Sequence, residues 1–173
     1  MRVAIVIPPK DFKDETVAGI KLMLEKWHVQ VIVSSYTSEE CIGYHGAIYK
    51  PGIDATKLGD EKLDAVVFAD GPGVDEYKLY DFRPLLDMVR NFNSSGTLIG
   101  AIGNAVKIIA RANIINGVHI SVPNDGETIR LVQLYKGIPS GKSVELEKNI
   151  ISAKGHESAT EFSNAVLDRF GLR

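Results

Sequence analysis

The chain has 173 residues, with 45% hydrophobic and 24% charged residues, enough for one α/β-sized domain with a buried core. Twenty basic and twenty-two acidic residues leave a net charge of −2, with no basic run or acidic tail to suggest nucleic acid or an anionic membrane as partner. A lone cysteine, Cys41, excludes an intrachain disulfide and a cysteine-based zinc cluster, and no apolar stretch reaches membrane-spanning length. The apolar start, Met1 to Ile7, is too short for a leader and lacks a small-residue cleavage site, so it reads as a first strand in a cytoplasmic protein.

Arg2 to Ile7 is a continuous β-branched run, the pattern of a strand covered on both faces, and Pro8-Pro9 ends it. A polar loop, Asp11 to Asp14, leads into a helix over Glu15 to Trp27. Its expected core face is Val17, Ile20, Leu24 and Trp27, widened by Leu22 and Met23. Val29 to Val33 is a second buried strand, and strand-helix-strand with short loops implies parallel pairing. Ser34 to Gly59 breaks the pattern, with a short strand or hairpin expected in Ile42 to Tyr49. Asp64 to Ala69 is a further strand ending in the turn Asp70-Gly71-Pro72-Gly73. Phe82 to Phe92 is an amphipathic helix with Leu85, Leu86, Val89 and Phe92 inward and Pro84 in its first turn.

Thr97 to Ile102 is a central strand that turns sharply at Gly103-Asn104 into a helix with Val106, Ile109 and Ala110 on one face. Beyond Asn116-Gly117, short strands are expected at Val118–Val122, Leu131–Tyr135, Ser143–Leu146 and Asn149–Ala153, with a helical turn over Asn124–Arg130. A final helix, Ala159 to Phe170, should bury Phe162, Val166 and Phe170. There are no repeats, low-complexity segments or linkers, so one domain over residues 1–173 is expected. It is a doubly wound, three-layer α/β/α sandwich on a mainly parallel sheet, of flavodoxin-like type. Ligands in such sheets sit at the carboxyl ends of strands near the switch in strand order. The loops Pro8–Glu15, Asp70–Gly73 and Gly103-Asn104 meet that description.

Together these loops resemble the superfamily of PfpI-type intracellular proteases and Parkinson-associated DJ deglycases, within the class I glutamine-amidotransferase-like fold. The segment Asp11-Phe12-Lys13-Asp14-Glu15-Thr16-Val17 is similar to the family's acidic loop, which implies that Glu15 points at the nucleophile. Leu63 to Gly71 resembles the strand ending in Pro-Gly-Gly, where a glycine amide helps form an oxyanion hole; Gly71 is the matching residue. Gly96 to Val106 resembles the nucleophile elbow, and Asn149 to Gly155 with Thr160-Glu161-Phe162 resembles the closing strand, turn and last helix. The resemblance implies a homodimer or larger homo-oligomer and no cofactor.

The departures fall at the chemistry. Gly103 stands where the family carries cysteine, Asn104 where histidine or alanine follows it, and Ala105-Val106 where Gly-Pro is usual. Pro-Gly-Gly has become Ala69-Asp70-Gly71, and Val122 precedes Pro123 where some relatives have histidine. An elbow drives its central residue toward positive φ, so glycine there loses the thiol and relieves strain of about 1–3 kcal/mol. Glu15 can equally be a carboxylate favoured by a helix N-terminus. If buried beside Asp70, it would share a proton with it. Asn104 offers a side-chain amide to a ligand or caps the following helix. Cys41 and His45, four residues apart, invite a thiol-imidazole reading, against which neighbouring acids raise the thiol pKa. His28, His119 and His156 show no metal-ligand spacing, and His156 follows the closing strand, where it would border the cleft. The expected function is a divergent family member that lacks cysteine chemistry and binds a small polar ligand at Asp70, Gly71, Gly103, Asn104 and His156, or acts through self-association. The rival is a hydrolase or lyase that uses Glu15 and an activated water.

Overall fold

The computed structural model describes residues 1–173. In chain order the elements are β1 (Arg2–Val6), α1 (Asp14–Lys26), β2 (Gln30–Ser35), β3 (Cys41–Ile42), β4 (Ile48–Tyr49), β5 (Ile53–Asp54), β6 (Ala65–Phe68) and α2 (Pro72–Glu76). They continue with α3 (Arg83–Ser94), β7 (Leu98–Ile102), α4 (Val106–Arg111), β8 (His119–Ser121), α5 (Gly126–Leu134), β9 (Ile138–Ser140), β10 (Val144–Glu147), β11 (Ile150–Ala153) and α6 (Ala159–Arg169).

The central sheet has seven strands in the order β10-β11-β7-β6-β1-β2-β5. Every pairing in it is parallel except β10 with β11. The chain leaves β1 toward β2 on one side and returns to pair β6 on the other, so the strand order switches at β1. Alternate residues of the buried strands feed two cores. Ala4, Val6, Val66, Phe68, Ile99 and Ala101 pack against α3, α4 and α5, whereas Val3, Ile5, Ala65 and Val67 pack against α1 and α6. These layers make the α/β/α sandwich that the runs of β-branched residues indicate. No helix is long and apolar enough to cross a membrane.

Some local expectations change. Trp27 is exposed rather than in the core: α1 stops at Lys26 and the chain reverses through His28 at φ +62°, which carries the ring away from the sheet. Leu22 is 73% exposed, on the outer face of α1, while Met23 is partly buried. Phe170 is only partly buried at the end of α6, and Leu167 fills the core there. The turn Asp70–Gly73 opens directly into α2, with Pro72 at its first position.

The largest difference is Leu131–Tyr135, which is the second half of α5 and not a strand. The short apolar run carries no clear period, so its partners decide. Asp125 caps α5, accepting from the Glu127 amide at 3.3 Å and the Thr128 hydroxyl at 2.5 Å, and Val132 is buried against the core. The strand contributed by this region is instead β9, which pairs in parallel with β8 in a separate two-stranded sheet. Replacing a capping aspartate by alanine costs about 0.5–2 kcal/mol. Asp125→Ala should therefore lower the unfolding free energy by that amount, seen as a lower urea midpoint, with a smaller loss for Thr128→Val. An unchanged midpoint in both variants would contradict the cap.

Candidate functional site

Strands β1, β6, β7 and β11 end at one edge of the sheet, and the turns that follow them enclose an open cleft of about 470 Å³. Lys13 comes from the turn before α1, Asp70 and Gly71 from the end of β6, Gly103 and Asn104 from the end of β7, and Lys154 and His156 from the turn after β11. Thus Asp70, Gly71, Gly103, Asn104 and His156 meet in one place, as their positions in the sequence indicate.

The elbow is formed as expected. Gly103 has φ +56°, between extended Ile102 and the tight turn that opens α4. The space above it is occupied by Asp70. A Cβ placed on Gly103 would lie 2.9 Å from both the Cβ and Oδ2 of Asp70, closer than such atoms pack. Asp70 is 8% exposed, and burial pushes its carboxyl above the usual aspartate range of 3.8. The Thr16 hydroxyl, its own backbone amide, His156 and Lys13 oppose that shift without cancelling it. Oδ1 of Asp70 and Oγ1 of Thr16 are both sealed from solvent without a well-formed hydrogen bond.

Gly71 was expected to offer its amide as an oxyanion donor. Its N–H instead donates to Oδ1 of Asn104 at 3.1 Å, and Nδ2 of Asn104 donates back to the Gly71 carbonyl at 2.8 Å. This reciprocal pair ties the β6 turn to the elbow. It also corrects both readings of Asn104: its side chain caps no helix amide, and its amide group is committed to the neighbouring turn. Gly71 has φ +138°, and a Cβ there would run into the backbone of Asp11 to Lys13, so the close approach of the two turns requires glycine. The Lys13 amide donates to the Asp70 carbonyl at 2.8 Å and locks the same junction.

Behind Asn104 lies a group that the sequence pattern did not single out. Lys107, on the first turn of α4, is 1% exposed. Its Nζ contacts Oδ1 of Asp75 at 2.7 Å and Oε1 of Glu127 at 3.4 Å, and stands 5.2 Å from the centre of the Tyr80 ring. Burial works against its charge, but Asp75 and Glu127 outweigh it and hold the proton more firmly than in an ordinary lysine. Asp75 also accepts from Nδ2 of Asn104 at 3.2 Å, which joins the Gly71-Asn104 pair to the buried lysine. The signal in the sequence was a charged residue inside the apolar run Ala105-Val106-Lys107-Ile108-Ile109, since a buried lysine requires a partner.

Glu15 lies elsewhere. Its side chain is 47% exposed and pairs with Nδ1 of His45 at 2.8 Å, outside the residues that line the cleft. Its own backbone amide, with His45 and Lys13, holds its carboxyl below the ordinary glutamate range. Glu15 is therefore not buried beside Asp70, and the shared proton that such burial would bring does not arise. Thr16, one residue on, is the one turned inward from α1. The neighbouring Asp14 accepts from the amides of His45 and Ala47, both at 2.8 Å, and so fastens the 43–47 loop to α1. Cys41 and His45 do not form a pair: Cys41 is fully buried on β3, burial raises its thiol pKa, and the imidazole of His45 belongs to Glu15.

The chain matches the model of the DJ-1/PfpI family over residues 1–169 and belongs to that family. It is 29% identical over 166 residues to an uncharacterized protein of Methanocaldococcus jannaschii, a match that covers 96% of this chain and 80% of that protein. Its fold is similar to that of a ThiJ/PfpI domain protein from Brachyspira murdochii, with a TM-score of 0.87 at 23% identity over 99% of this chain and 97% of the other. It is also similar to that of DJ-1beta from Drosophila melanogaster, with a TM-score of 0.84 at 21% identity over 99% and 91% of the two chains. At these identities the two structures speak to the fold alone.

Two outcomes follow from the site's polar contacts. Asp70 binds its proton more tightly in the folded chain than in the unfolded one, so stability is fully present below pH 3.8 and falls as pH rises through the folded-state value. Asp70→Asn should therefore raise the melting temperature relative to the parent more at pH 7 than at pH 4, as read by circular dichroism. An equal difference at both pH values would remove the linkage. Removing a partner from a buried ion costs more than removing the ion itself. Asp75→Ala should cost about 1–3 kcal/mol, with Glu127 as the remaining partner, and Lys107→Met should cost less because Asp75 can return to water. Urea titrations that reverse this order would contradict the account.

Proposed function

We propose that this chain is a DJ-1/PfpI-family protein without the cysteine-dependent protease, amidase or glyoxalase and deglycase chemistry, and that it binds a small polar ligand in the cleft over Gly103. The observation that carries this reading is the position of Asp70. Its carboxyl fills the space that a side chain on the elbow would need, and the elbow residue has no side chain. The Gly71 amide is already engaged by Asn104, so the donor that would steady an oxyanion is spent. Covalent catalysis requires an activated nucleophile beside such a donor, and the bare Gly103 and the engaged Gly71 amide both count against it. The alternative, a hydrolase or lyase built on Glu15 and a water, draws no support from a glutamate that pairs with His45 outside the cleft. Self-association into a homodimer remains part of the proposal. Exposed apolar residues such as Leu22, Ile42, Tyr44 and Ile48 are consistent with it, and sedimentation equilibrium reads it directly.

Peptidase, methylglyoxal and deglycase assays on the purified chain should show no turnover above that of the Cys41→Ser and Glu15→Gln variants. Turnover lost in either variant would overturn the proposal. Gly103→Cys should not restore it: the new Cβ must displace Asp70, and a carboxylate beside a thiol disfavours the thiolate. The engineered thiol should react with iodoacetamide no faster than free cysteine and should lower stability by about 1–3 kcal/mol. A hyper-reactive thiol at position 103 would show instead that the catalytic surroundings are intact.

A further inference from the structure

The cleft contains charges of both signs, and their partners differ. Asp75 is held by Lys107 and Asn104, and Asp125 by the cap of α5. His156 has its Nδ1 3.3 Å from Glu157. Lys13 and Lys154 line the same cleft, and neither ammonium has a carboxylate within ion-pair distance. Their backbones are fixed, the Lys13 amide on the Asp70 carbonyl and the Lys154 amide on the Ser143 carbonyl at 3.0 Å, so the two side chains start from rigid points. The other uncommitted polar group is Asp70, more than nine-tenths buried at the floor, with one oxygen unpartnered and the other over Gly103.

We propose that this cleft takes a small oxyanion, the carboxylate or phosphate end of a small molecule, gripped by the ammonium groups of Lys13 and Lys154, with the Asp70 carboxyl as the group that opposes it until protonated. The inference rests on the reading of the cleft as a ligand site and adds the ligand's charge. Two cations with no internal partner gain from an anion, and partial enclosure limits the screening of that attraction. A neutral Asp70 can donate from Oδ2 into the cleft, whereas its anion repels the ligand. The charged and titratable groups around Asp70 are Lys13 from the start of α1, Asp75 from α2, Asp125 from the start of α5, and Lys154 and His156 from the turn after β11. The Asp70→Asn variant isolates the part of any pH dependence that belongs to Asp70.

The test is calorimetric titration of the full chain with acetate, malonate and inorganic phosphate at pH 7 and pH 5. Saturable binding of at least one probe is expected; because the probes also lose charge between pH 7 and pH 5, the effect of Asp70 is read by comparing the parent with Asp70→Asn at each pH. Lys13→Ala and Lys154→Ala should each weaken it by about three- to tenfold. Asp70→Asn should tighten binding at pH 7 by a similar factor and change it less at pH 5. The stronger probe class, carboxylate or phosphate, names the ligand's end group. Absence of saturable binding by all three anions, indifference to both lysine changes, or weaker binding in Asp70→Asn would each overturn the oxyanion. Glycerol and glyceraldehyde, titrated by amide NMR, separate the two levels of the argument. Shifts at Gly71, Gly103 and Asn104 with a neutral probe but none with anions would keep the ligand site and overturn its proposed charge. Silence with every probe would overturn both.

Discussion

Strands β1, β6, β7 and β11 run parallel in one sheet, so the four turns that leave their carboxyl ends must share a single edge. Parallel pairing is possible here because helices cover both faces and long crossovers connect the strands. Everything at the candidate site depends on that convergence. Residues 13, 70, 103 and 154 are far apart in the chain, yet each stands one or two residues beyond the end of a strand or at the start of the next helix. A change of register in any one strand would move its turn out of the cleft and reverse the faces of its side chains.

Within that edge, the turns after the neighbouring strands β6 and β7 are joined to each other. The Asn104 side chain satisfies both backbone groups of Gly71 and reaches Asp75, which in turn holds buried Lys107. The Gly71 amide is thus used internally. Asp70 packs against the same elbow, because its carboxyl lies over a glycine that gives it room. Residues 70, 103 and 104 fit together physically: the glycine admits the aspartate, and the asparagine fastens the turn that carries it. Polar groups left after this internal pairing, Lys13 and Lys154 on the walls and Asp70 on the floor, are the ones available to a ligand.

Much of this was legible in the chain. The apolar runs within Arg2–Ile7, Asp64–Ala69 and Thr97–Ile102 mark strands buried on both faces, and their alternation with amphipathic helices requires a parallel sheet. The positive φ at Gly103 follows from a strand that breaks into a helix within a residue or two. Less legible was α5, because Leu131–Tyr135 is apolar over too few residues to separate a period of two from one of 3.6, and the Asp125 cap decides it. Trp27 was misplaced because helical periodicity continues on paper past the point where His28 reverses the chain.

Family resemblance pointed to the turns that meet at this edge, but the structure places Glu15 outside the cleft they enclose. Glu15 follows the acidic-loop pattern, and a shift of one position along the first turn of a helix rotates a side chain by about 100°. Thr16 faces the core and Glu15 faces His45. Sequence by itself determined the layers, the parallel edge and the absence of a side chain at the elbow, since these follow from hydrophobic period and residue identity. Only the tertiary structure decided what fills the elbow, which amides are free and which charges lack partners. Those depend on contacts between turns that are distant in the chain, and no local pattern carries the direction in which Asp70, Asn104 and Lys107 point.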